Sequence, residues 1–192
     1  MAAIQNTLPV LRRSLVFGVS ALASMVLMLL LNLTGSSLTT SVAPMGIVSY
    51  ELAGSVEKAT AILASWDAAA QRAAAFNLGL DYLFMLAYGL AFSLACWMAG
   101  DALRARGWPL ASLAGPLATG AWLAAAFDAV ENFALTSMLL VGAASAPWPE
   151  IARVCAWLKF TLLFLGLVYA FYGLVVKLAF RRYFTNPAGD DV

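Results

Sequence analysis

Five polar side chains stand out because they lie inside long apolar runs: Asp81, Asp128, Glu131, Asn132 and Lys159. An ionised group near the centre of a bilayer costs roughly 3 kcal/mol or more, so such residues face protein and find partners, or they serve a function. Asp128, Glu131 and Asn132 stand at i, i+3 and i+4, which puts all three on one face of a helix. The same face continues through Ala125, Ala121, Ala118 and Ala114, a seam of small residues that lets a neighbouring helix approach closely. Tyr88 follows Asp81 by two helical turns on the same side, and its hydroxyl can donate to a carboxylate. Three carboxylates against one lysine leave the set formally negative by two. Arg153 joins it, or one carboxylate holds a proton, or a cation is bound. These six residues (Asp81, Tyr88, Asp128, Glu131, Asn132 and Lys159) are the candidate ligand- or ion-binding set. The competing account is a buried polar network that holds helices in register.

The elements that position them follow from composition. Of 192 residues, 63% are hydrophobic and 11% charged, and the mean hydropathy is +0.86. A soluble domain carries roughly 25% charged residues, so most of this surface is expected to face lipid. A net charge of +1 offers nothing to a nucleic acid. The absence of histidine removes histidine-ligated haem, histidine-zinc sites and Ser-His hydrolysis. Cys96 and Cys155 lack a CxxC spacing and are expected at different depths, which argues against a disulfide and against a thiol oxidoreductase. No residue pattern identifies a cofactor, a metal or a catalytic group.

Four apolar runs are each long enough to span a bilayer, at about 14–34, 78–100, 109–141 and 151–180. The first follows Arg12 and Arg13 and is longer than the apolar core of a signal peptide, so it reads as a retained anchor. Pro109 suits a helix's first turn, and Pro116 marks a kink or a late start. Arg12, Arg13, Arg104, Arg106, Lys177, Arg181 and Arg182 fall on one side of four spans, against Lys58, Arg72 and Arg153 on the other. The basic excess predicts both termini in the cytoplasm, with the protein in the cell (inner) membrane. Residues 35–46 read as loop. From about 50 to 75, Leu52, Val56, Ala59, Leu63 and Trp66 recur at helical spacing, with Glu57, Lys58 and Asp67 off that stripe. That predicts an amphipathic helix in the outer loop. Glu51, at its opening, is assigned only a helix-dipole role, and Asn77 and Gly79 are expected to weaken the helix before the second span. Trp97, Trp108, Trp148 and Trp157 read as interfacial residues, and 186–192 as a disordered tail.

The fold class is therefore all-α: one membrane domain over 1–192, a four-helix bundle with an amphipathic helix in the long outer loop. Helical rise places Asp81 about one turn inside the second span, and places Asp128, Glu131 and Lys159 at a similar level in the outer half. The run Leu80-Asp81-Tyr82-Leu83-Phe84 with Tyr88-Gly89, followed by Asp128-Ala129-Val130-Glu131-Asn132, resembles an uncharacterised family of small bacterial four-helix membrane proteins. The resemblance implies that Asp81, Tyr88, Asp128, Glu131 and Asn132 belong together, and it implies no activity. Three functions fit the residues. One is binding or transport of a proton, a cation or a cationic amphiphile. Another is an enzyme acting on a lipid-like substrate through a carboxylate acid or base. The last is a non-catalytic assembly subunit. Expected partners are the lipid bilayer, a small cationic or amphiphilic ligand, and a second copy of the chain in a homo-oligomer.

Overall fold

The computed structural model describes residues 10–179, and every regular element in that range is helical. The elements run α1 (Val10–Thr34), a 3-10 turn (Ser36–Leu38), α2 (Ile47–Glu51), α3 (Val56–Ser65), α4 (Ala68–Arg104), a second 3-10 turn (Ala111–Leu113), α5 (Ala114–Val141) and α6 (Trp148–Ala179). α1, α4, α5 with its preceding turn, and α6 are each long and apolar enough to cross a membrane. Arg181, Arg182 and the tail at 186–192 lie outside the described residues.

The segment from 50 to 75 is not one amphipathic helix. α2 stops at Glu51, and Gly54 takes a left-handed conformation at φ +65°. Ser55 then caps α3 by accepting from the Lys58 backbone N–H at 3.3 Å. Trp66 is extended, and Asp67 caps α4 by accepting from the Ala70 N–H at 2.8 Å. The two capping residues satisfy new helix N-termini, so the chain breaks twice where a simple periodicity runs on. The stripe itself is inward for Ala59, Leu63 and Trp66, with Glu57, Lys58 and Asp67 exposed.

α4 also corrects the start of the second span. It passes straight through Asn77 and Gly79. The Asn77 side-chain amide donates to the Ala73 carbonyl at 3.1 Å and to Thr34 Oγ1 at 2.9 Å, tying α4 to the end of α1. At 37 residues, α4 is about 55 Å long, well beyond a hydrocarbon core of about 30 Å. Asp81 sits about 20 Å from the start of this helix. Pro109 begins no helix, because Leu110 is left-handed at φ 68° and the α-helix begins at Ala114. Pro116, in the first turn of α5, accompanies a late start and not a kink.

Three helices form the packed centre: α4 on α5, α5 on α6, and α4 on α6. Small residues set the approach. A Cβ added at Gly173 would collide with Ala99, one at Gly100 with Ala114, and one at Gly89 would touch Trp122 and Ala125. α1 packs on α4 and is otherwise nearly bare, with 6% of its apolar stretch buried. At one end Arg13 of α1 and Arg104 both pair with Asp101, and Arg106 donates to the Lys177 carbonyl at 3.3 Å. The opposite end is closed by residues 35–67. There the Tyr50 hydroxyl donates to the Leu135 carbonyl at 3.2 Å, and the Trp66 indole donates to the Leu38 carbonyl at 2.9 Å. Those two rings meet edge to face at 5.3 Å and fasten this segment over the ends of α4, α5 and α6.

Candidate functional site

The Ala114–Ala118–Ala121–Ala125 seam of α5 is buried, and Asp128, Glu131 and Asn132 continue it inward with no more than 2% exposure each. α6 brings Lys159 to this face from the other side. Its ammonium donates to Asp128 Oδ1 at 2.9 Å and to Glu131 Oε1 at 3.0 Å. α4 brings Tyr88, whose hydroxyl donates to the second Asp128 oxygen at 2.8 Å. One turn or two nearer the 35–67 end, Asn132 donates to Asp81 Oδ2 at 2.6 Å. All six residues expected to gather are gathered, by three helices.

A seventh member was not expected. Glu51, the last residue of α2, lies 3.6 Å from the Lys159 ammonium with its side chain largely buried. It stands at the end of its helix and not the beginning, so a role at a helix N-terminus does not apply. Burial pushes its carboxyl above the ordinary value of 4.5, and the neighbouring Asp128 charge pushes the same way, while Lys159 opposes them. One oxygen on each, Glu51 Oε2 and Glu131 Oε2, is buried without a donor among the described residues. The one hint in the sequence was that Glu51 follows Ile47 by four residues, on the face that α2 turns inward.

Arg153, a candidate to balance the charge, does not reach the cluster. Its side chain lies across Gly54, filling the space a Cβ would need, and it forms no ion pair among the described residues. The site therefore holds four carboxylates against one ammonium. Among the described residues, no three carboxylates or thiols are grouped so that they could hold one metal ion. Both cysteines are free and buried.

The cluster is not sealed. A cavity of about 420 Å³ reaches it, with Glu51, Asp81, Asp128 and Lys159 in its wall. Asn32 of α1 and Phe160 of α6 line its sides. α1 and α6 make no more than passing contact with each other, so the cavity lies between two walls that are not packed together. A second, almost wholly apolar groove of about 480 Å³ continues between the same two helices over α4, and Phe92 lines both.

These features define a class: a membrane protein with four apolar helices and a buried Asp/Glu/Lys cluster. No protein-family model, curated protein or solved structure matches the chain.

Proposed function

We propose that the protein is a four-helix integral membrane bundle that binds a protonated amine or another small cation at the cavity face of its acidic cluster. The observation that carries this reading is the cavity itself, whose wall holds three carboxylates of a four-carboxylate, one-ammonium set. A cluster serving only to join helices has no need of an open face, and an excess of carboxylates over cations is what a cationic ligand would complete. Residues 35–67 cap the cluster, and they are the part of the fold best placed to admit or retain a ligand. Arg13, Arg104, Arg106 and Lys177 share the opposite end. By the positive-inside rule that end is cytoplasmic in an inner-membrane protein, and the cap faces outward.

A second reading has its own observation. The Asp128–Lys159–Glu131 contacts are short and buried, as expected of a polar network that fixes helix register in an assembly subunit. Titration of butylammonium into the purified protein in a non-ionic detergent separates the two. Ligand binding predicts saturable heat that falls at least about tenfold in affinity in Asp81→Asn, a change of about 1.4 kcal/mol. Equal titration of wild type and variant, or none in either, would leave the register role standing.

A further inference from the structure

The polar cavity and the apolar groove adjoin at Phe92 and lie end to end along α4 as a channel. The cavity spans Asp81 to Phe92, and the groove runs from Ala91 and Phe92 past Ala95 and Ala99. α1 forms one wall throughout, from Asn32 and Met28 in the cavity to Met25 and Phe17 in the groove. α6 forms the other, from Lys159 and Phe160 to Leu167 and Phe171. α1 and α6 make no more than passing contact, so packing between these two walls does not close the channel. Small residues, Ala91, Ala95 and Ala99, line the floor of the groove.

We propose that this channel holds a single-chain amphiphile with a primary or secondary amine head, the head at Glu51 and Asp81 and the chain in the groove. This rests on the cation-binding reading and adds the class of ligand. Charge complementarity selects the head. Four carboxylates face one ammonium, and the buried oxygen Glu51 Oε2, on a residue of the cavity wall, has no hydrogen-bond donor. An N–H donor satisfies such oxygens, whereas a quaternary ammonium has none to give. An anionic head would add to an excess of like charge. Continuity selects the chain: the only side chain common to the two spaces is Phe92, and the space beyond it is lined almost entirely by carbon.

The test uses the full chain in dodecyl maltoside, with dodecylamine, butylamine, dodecanol and dodecyltrimethylammonium as probes. Affinities are compared across variants for each probe, because partition of a chain into micelles is then common to both measurements. Ala95→Phe fills the groove away from the cluster, and Ala170→Phe does so from α6. The expected result is that either variant weakens dodecylamine at least about tenfold and leaves butylamine unchanged, while Asp81→Asn weakens both amines. Undiminished dodecylamine binding in both groove variants overturns the chain assignment and leaves the amine site intact. Dodecanol or dodecyltrimethylammonium binding that weakens in Asp81→Asn as much as dodecylamine binding does overturns the head assignment. Failure of both amines to bind the wild type removes the cation-binding reading as well.

Discussion

Replacing Lys159 by methionine removes the one cation in a set of four carboxylates and keeps the length and apolar stem of the side chain. In the wild type its ammonium makes two charge-assisted hydrogen bonds, at 2.9 and 3.0 Å, and stands 3.6 Å from Glu51. At an effective dielectric near 20, unit charges about 4 Å apart interact by about 4 kcal/mol, and desolvation of the lysine offsets part of that gain. Removing one partner of a buried pair costs about 3–5 kcal/mol, because the other charge is left uncompensated. Lys159→Met is therefore expected to lose about 3–5 kcal/mol, less what the carboxylates recover by taking up protons. Glu131→Gln does the opposite: it removes one of four like charges, leaves Lys159 its bond to Asp128, and should hold stability constant or raise it. The two changes should couple, with the double variant recovering about 0.5–3 kcal/mol of the Lys159→Met loss. Unfolding by sodium dodecyl sulfate titration in dodecyl maltoside, at one pH and ionic strength, reads all three. A Lys159→Met loss below about 1 kcal/mol would refute the picture of an ammonium holding ionised carboxylates together. A loss in Glu131→Gln as large as that in Lys159→Met would show matched pairs instead of a crowded, electron-rich site.

The Glu51 carboxyl gives a pH prediction with a definite sign. Its value in the folded protein lies above the ordinary 4.5, so the folded state binds its proton more tightly. Its contribution is fully present below that value and is lost as pH rises through the folded one. Protease protection of the 35–67 segment should fall as pH rises above the ordinary carboxylate value of 4.5, and more steeply in wild type than in Glu51→Gln. Equal slopes would show that Glu51 does not titrate against the fold. Gly173→Val tests the packing of α6 on α4, since even a Cβ there collides with Ala99. It should cost about 1–3 kcal/mol in the same detergent titration, and an unchanged midpoint would show that the helices can part without penalty.

Helix-level features were legible in the sequence because they depend on near neighbours. The seam through Ala114 to Ala125 and the i, i+3, i+4 trio above it follow from 3.6 residues per turn, and both are buried as expected. So is the meeting of Asp81, Tyr88, Asp128, Asn132 and Lys159, since a charge within an apolar run has few ways to escape lipid other than other such charges. The stop and start signals within 50–75 were less legible. Periodicity over about four turns outweighed Ser55 and Asp67, whose capping strength depends on whether the backbone turns there.

Glu51 marks the boundary most clearly. Locally it is one acidic residue beside a tyrosine in a loop-flanked segment, and nothing within helical reach of it reveals Lys159. Its place is decided by Tyr50 bonding to Leu135 and Trp66 bonding to Leu38, contacts between residues 85 and 28 positions apart. The cavity is of the same kind. It exists because α1 packs on α4 and not on α6, and no span's own composition carries that choice. Composition and periodicity determined that the helices are long and apolar enough to cross a membrane, with carboxylates and a lysine turned inward, since those rules act within a few turns. Only the tertiary structure decided that a fourth carboxylate joins them and that one side stays open, since both are settled by which surfaces meet.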